Sequence, residues 1–323
     1  MSNTLSISLF GVTVYLETDC IELIQLLLEK QRLFNYKAKI RECTPISGVW
    51  TLIYYNRTCK KIEYASSKKQ VIVSRPWNEI NKSTYLRCIL LTLVDLSLQE
   101  ENKVLLHSSA VSYNNKGYLF IGGSNSGKTT LAMLFCSKHG AKFISSDLTV
   151  VSLHGSDCYL ENGNVLMNLR PHSVKMTDPK LYEKVFPDNS HSKKRIDARD
   201  YLQVEENLPL RCEYMIFVNT YLESDQANVR LLETKDLLLT KSRMYNQISE
   251  TIRGNKYLLF DNEMRIFDEQ IRYMDKPVFQ QMRTSLVECL FESSTGIYSE
   301  GNPELVLNQL LSMRGTEHVK TFK

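Results

Sequence analysis

The chain has 323 residues, of which 43% are hydrophobic and 24% charged, and its formal net charge is +4. This length suits about two domains, the composition is that of a soluble globular chain rather than a fibrous or disordered one, and the charge is too mild to indicate a nucleic-acid partner. Met1 to Phe10 has neither the basic start nor the long apolar run of a secretion signal. The cysteines form no C-x-x-C pair, so they read as reduced thiols of a cytoplasmic protein rather than as disulfides or a zinc site.

Near the start, LSISL and VTVYL alternate like strands. Asp19 then offers an N-cap and Glu22 completes a capping box, for a helix from about Cys20 to Arg32. VWTLIYY, KKIEYA and QVIVS predict three more strands, and an apolar helix near 84 to 98 closes this part. That helix is too short to span a bilayer and carries Arg87 and Asp95. Residues 1 to 100 thus read as a small α+β domain without a chemical motif.

VLLHSSAVSY opens the second part as a strand, NNKG follows as a turn, and Tyr118-Leu119-Phe120-Ile121 is a buried strand. AKFISSD, LTVVSL and NVLMNL predict further strands, and Thr177-Asp178-Pro179 marks a helix start with proline in the first turn. Pro187 to Asp200, PDNSHSKKRIDARD, is polar and basic without a period and reads as a mobile loop. CEYMIFV is a buried strand. Beyond Glu233 the pattern is mostly helical, including TKDLLLTKSRMY and KPVFQQMRTSLVECLF, with TGIYS as a late strand and NPELVLNQLLSM as a final helix capped by Asn302.

The chemistry lies between the YLFI strand and the helix that carries Leu131, Leu134 and Phe135. Gly122-Gly123-Ser124-Asn125-Ser126-Gly127-Lys128-Thr129-Thr130 contains the spacing G-x-x-x-x-G-K-[ST]. The glycines let successive N–H groups turn inward towards phosphate oxygens. Lys128 can set an ammonium on the outer phosphates, and the Thr129 hydroxyl can ligate a magnesium ion that bridges them. The helix behind them turns its positive end to the same anion.

Three more candidates lie nearby in sequence. His107 sits in LLHSSAV, on the strand expected beside the loop strand; it reads as a site residue or as a structural histidine. Asp147 follows the FISS strand, where an aspartate can hold magnesium or take a proton from an attacking hydroxyl, or else cap a turn. Arg170, in NLRPHS, can clamp a phosphate or form a surface ion pair. The basic run Lys193, Lys194 and Arg195 reads as a solvated loop, or as a receiver for an acidic substrate.

Together, LLHSSAV and GYLFIGGSNSGKTTLAMLFCSKHGAKFISSDLTVV resemble the catalytic domain of HPr kinase/phosphorylase and its kinase-like relatives, which share their fold with the nucleotide-dependent phosphoenolpyruvate carboxykinases. His107 matches a histidine that precedes the loop in that family, Gly140 a glycine after the loop helix, and Asp147 the second member of an Asp-Asp pair. FGVTV and NLRP are weaker echoes. The resemblance implies a P-loop kinase core with a mixed sheet over residues 101 to 323, preceded by the small α+β domain. It further implies an ATP- or GTP- and magnesium-dependent kinase for a hydroxyl of a protein or precursor peptide, with Thr129 and Asp147 at the metal and His107, Lys128, Asp147 and Arg170 in catalysis.

Two features depart from the family. Ser146 stands at the first Asp position and cannot be a base. No E-x-R-G-x-G signature of the reverse reaction follows, since YLENGNVLMNL does not supply it, which argues against a true HPr kinase/phosphorylase. A small-molecule kinase and a non-catalytic nucleotide-binding regulator or carrier stay open, as does a homo-oligomer; no nucleic-acid or membrane partner is expected.

Overall fold

The alternation in the first two strands buries Leu5, Ile7 and Leu9 from β1 (Asn3–Leu9) and Val12, Val14 and Leu16 from β2 (Val12–Thr18) on one hydrophobic layer. The computed structural model describes residues 3–33, 36–59, 61–81, 85–187, 192–253 and 274–313. It is a mixed α/β structure with two large sheets, and the chain divides into two compact units: Met1–Val104 with Ile248–Arg283, and Leu105–Gln247 with Thr284–Lys323.

In the first unit, α1 (Ile21–Lys30) is followed by the short pair β3 (Arg32–Leu33) and β4 (Tyr36–Lys37), then β5 (Lys39–Glu42), β6 (Thr51–Asn56), β7 (Lys61–Ala65) and β8 (Gln70–Arg75). Six of these strands pair in the order β5-β1-β2-β6-β8-β7, with β2, β6 and β8 parallel. After the single turn α2 (Trp77–Ile80), α3 (Tyr85–Glu100) packs on β2 and β6. It is buried along nearly its whole length, as its all-round apolar sequence requires.

In the second unit, β9 (Lys103–Leu106), β10 (Ser108–Tyr113) and β11 (Lys116–Ile121) lead into α4 (Lys128–His139), and β12 (Lys142–Ser145), β13 (Thr149–His154), β14 (Asp157–Gly163) and β15 (Leu166–Leu169) follow. The helices α5 (Pro171–Thr177) and α6 (Pro179–Val185), then β16 (Lys194–Asp197), β17 (Leu210–Thr220), β18 (Ala227–Leu231), α7 (Thr234–Ser249), α8 (Pro277–Ser293), β19 (Thr295–Gly301) and α9 (Pro303–Met313) come next; residues 103–104 of β9, 248–249 of α7 and 277–283 of α8 fall within the first unit. Among the described residues the main sheet runs β12-β10-β11-β17-β14-β13-β9, with β19 also on β17 and β18 on β19. At its centre β11, β17 and β19 are parallel. α4 lies over this centre, its Leu131, Leu134 and Phe135 in one cluster with Phe120, Phe143 and Ile216 of the sheet, all fully buried.

Two helix ends expected from the sequence are built as such. The Asp178 carboxylate accepts the Leu181 N–H, and the Asn302 side-chain amide oxygen, Oδ1, accepts the Glu304 N–H at 2.9 Å. Other expectations fail for physical reasons. Asp19 does not cap α1: its carboxylate accepts the Asn56 N–H and pairs with Arg57, while the Thr18 hydroxyl oxygen accepts the Cys20 N–H. The helix begins at Ile21 with no side-chain cap and ends at Lys30. VLLHSSAVSY is two strands, not one, since the chain leaves β9 and enters β10 elsewhere in the sheet, breaking at His107.

The basic stretch expected to be a mobile loop contains β16, paired antiparallel with β15, and a 3₁₀ turn at Ala198–Asp200; its residues 188–191 lie outside the described residues. The partner strand supplies that order, which a local period cannot reveal. Among the described residues, no helix is long and apolar enough to cross a membrane, and the cysteines are free thiols.

Phe120→Ala removes a ring buried between the sheet and α4 and is expected to destabilise the second unit by about 3–5 kcal/mol. Both tryptophans, Trp50 and Trp77, lie in the first unit, so amide exchange in α4 is the readout, not tryptophan fluorescence. Unchanged exchange protection there would contradict this packing.

Candidate functional site

The loop between β11 and α4 is shaped by what stands behind it. Asn125 and Gly127 are left-handed, with φ of 66° and 92°. A Cβ on Gly122 would lie 2.5 Å from Ser126 Oγ and 2.6 Å from the Val218 carbonyl oxygen, and one on Gly127 would overlap Thr220 Oγ1. Both clashes come from β17, the parallel neighbour of the loop strand, or from the loop itself. The Thr220 N–H and hydroxyl both donate to the Ser126 carbonyl, at 2.9 and 3.2 Å. So the end of β17 braces the turn, and glycine is needed on the braced side. Gly123, by contrast, faces open space.

Lys128 is the first residue of α4 and only 6% exposed. Its ammonium donates to the carbonyls of Gly122 and Gly123, at 2.9 and 2.8 Å. The rest of the side chain is buried, so truncating it removes packing as well as charge. Thr129 Oγ1 lies 3.3 Å from Ser109 Oγ and 3.2 Å from Ser146 Oγ. Ser146 is fully buried. Beneath it the Ser108 hydroxyl donates to Thr149 Oγ1 at 2.7 Å, and Ser145 Oγ lies 2.6 Å from the same atom. Hydroxyls from β10, the end of β12 and β13 thus satisfy one another in the layer that holds Thr129, as buried polar groups must.

Asp147 follows at φ 65°, the left-handed region that non-glycine residues seldom occupy. The Asn168 amide donates to its Oδ2 at 3.1 Å, and Arg195 Nε donates to Asn168 Oδ1 at 3.3 Å. Arg170 Nη2 donates to Asn125 Oδ1 at 2.7 Å, tying the β15 end to the loop. The His107 carbonyl accepts the Gln247 amide at 2.8 Å.

Of the residues expected from the sequence, His107, Ser124, Asn125, Gly127, Lys128, Thr129, Thr130, Asp147 and Arg170 line one cleft. Gly122 and Gly123 meet it through the carbonyls that hold Lys128. The buried Ser126 hydroxyl has no hydrogen-bond partner among the described residues. The basic run does not act as a unit: Lys193 lines the cleft, Lys194 donates to the Val185 carbonyl, and Arg195 holds Asn168.

Sequence reading missed Asn168, Ser173 and Ser109. A lone asparagine or serine on a strand carries no spacing signal, and only the NLRP stretch hinted at the first. Cys136, on the same helix as Lys128, is not a nucleophile, because burial pushes its thiol well above the ordinary value. The cleft can therefore receive an anion on a helix N-terminus, a lysine and an arginine, and presents a carboxylate and a histidine to it. No protein-family model matches the chain, and a comparison with curated proteins returns no match.

Gly127→Ala is expected to lower stability by about 1–2 kcal/mol for the left-handed backbone alone, and further by displacing Thr220. Gly123→Ala should stay within about 0.5 kcal/mol. Thermal melting of both variants checks this; equal losses would contradict the bracing by β17.

Proposed function

We propose that the protein is a kinase built on a P-loop core of the HPr kinase type, using ATP or GTP with magnesium to phosphorylate a hydroxyl of a protein or precursor peptide. One observation carries the reading: Lys128, Thr129 and Asp147, expected at such a site from their spacing, face one cleft at the N-terminus of α4.

The residues fit a nucleotide. Backbone N–H groups of Gly123 to Gly127 and the first turn of α4 form a cradle whose sheet side admits no Cβ at Gly122 or Gly127. Lys128 lies across the loop carbonyls, from which a rotation of its end delivers charge to the outer phosphates, and Arg170 adds a second cation at the rim. Thr129 and Asp147 would hold magnesium, a hard cation satisfied by one or two protein oxygens beside phosphate oxygens. When bound, the ion neutralises charge that develops on the transferred group. Asp147 and His107 would receive the acceptor's proton.

Ser146, at the place of the family's first aspartate, makes no base, and its hydroxyl instead orients Thr129 from 3.2 Å. Labelling of cell extract with γ-labelled ATP or GTP and identification of the labelled species tests the reading. A labelled protein or peptide supports it. A labelled metabolite points to a small-molecule kinase. Nucleotide binding without any turnover points to a non-catalytic regulator or carrier.

Lys128→Met keeps the buried stem and is expected to weaken nucleotide binding about a hundredfold, since hydrogen bonds to charged groups contribute roughly 1.5–3 kcal/mol each. Asp147→Asn should leave affinity within about tenfold yet lower transfer at least about a hundredfold. Calorimetry and single-turnover labelling measure the two, and wild-type values in either variant would remove that residue from the mechanism.

Ser146→Asp buries a carboxylate in a fully enclosed position, which costs stability unless paired. The variant is expected to melt below wild type and to regain most of that loss with magnesium-nucleotide, without a gain in turnover. A turnover that appears only in Ser146→Asp would instead mark the natural chain as a binding protein.

A further inference from the structure

Asp147 is held in a strained backbone conformation at the cleft, and the group that holds its carboxylate comes from a separate two-stranded ribbon. β15 and β16 pair so that Asn168 stands directly opposite Arg195. From there the Arg195 guanidinium donates to Asn168 Oδ1 at 3.3 Å, and the Asn168 amide donates to Asp147 Oδ2 at 3.1 Å. The order of donation is set by chemistry. Arginine can only donate, so the asparagine oxygen faces it and the NH₂ is left for the carboxylate. The chain is therefore directional, and each link fixes the next.

We propose that Asn168 is the positioning residue for Asp147, with Arg195 selecting the orientation of its amide; this rests on the kinase reading above. The amide occupies Oδ2 and leaves Oδ1 to face metal or acceptor. The left-handed backbone of Asp147 sets where its carboxylate starts, and an external donor then holds the side chain in one rotamer. Second-layer hydrogen bonds of this type commonly alter metal affinity by about 10–100-fold. The basic ribbon thus has a role other than receiving an acidic substrate. Lys193 borders the cleft, whereas Arg195 acts through Asn168.

The test measures ATP affinity by calorimetry with and without magnesium, alongside kcat and KM, for Asn168→Ala, Asp147→Asn and the double variant. Asn168→Ala should cut the magnesium-dependent gain in affinity and kcat by about tenfold, with magnesium-free ATP affinity within about twofold. The double variant should be no worse than Asp147→Asn alone, because the two residues act on one atom. Arg195→Ala, an exposed change that leaves the fold intact, should move the same readouts in the same direction by about two- to threefold. This keeps the proposal testable if Asn168→Ala melts early. A wild-type magnesium response in Asn168→Ala, or a loss that adds to that of Asp147→Asn, overturns the positioning role and leaves the kinase reading standing. A wild-type protein that binds neither ATP nor GTP under either condition overturns both.

Discussion

Everything at the cleft depends on the parallel pairing of β11 with β17. The register Ile121 with Phe217 carries β17 three residues past the end of the loop strand, to Thr220. That residue donates twice to the Ser126 carbonyl and presses on Gly127 where any side chain would overlap it. The turn is thus held by a neighbouring strand as well as by its own bonds, from the Ser126 N–H to the Gly123 carbonyl and from Lys128 to the Gly122 and Gly123 carbonyls. The same constraint fixes the direction in which α4 leaves the sheet, and with it the position of Lys128. The apolar layer of Phe120, Phe135 and Ile216 beneath the helix supplies the stiffness that a loop of small residues lacks.

Around this brace the polar groups divide into two systems. On one side are uncharged hydroxyls: Ser109 and Ser146 meet Thr129, and Ser108 and Ser145 meet Thr149. On the other, the ribbon of β15 and β16 delivers an amide to Asp147, and the end of β15 delivers Arg170 to Asn125. Among the described residues a single carboxylate, that of Asp147, therefore lines the cleft, while the neighbouring serine serves the hydroxyl layer. Ser146 is fully buried against Thr129, where an unpaired charge is costly.

The sequence displayed the loop because its steric demands are local: glycines at a tight turn, a lysine and a threonine at the head of a helix, and an apolar strand before them. Gly140 was singled out only by the resemblance, and its steric reason lies in the structure. It ends α4 at φ 70° with its N–H on the Cys136 carbonyl, a backbone state that favours glycine. The hidden parts are those fixed by distant partners. Asp19 serves Asn56 and Arg57 rather than its own helix, the residues after Ser192 gain a strand from β15, and Asn168 acquires a role only when Arg195 and Asp147 arrive from either side. The break at His107 is equally silent, because apolar residues flank it on both sides and no period changes there.

The most direct test of the account is amide hydrogen exchange of the wild-type protein with and without magnesium-ATP. The cradle predicts new protection concentrated in Gly123 to Thr130, with a second site at Asp147 and Asn168, and little change across β1 to β8. Protection that appears elsewhere while the loop exchanges as before would contradict it.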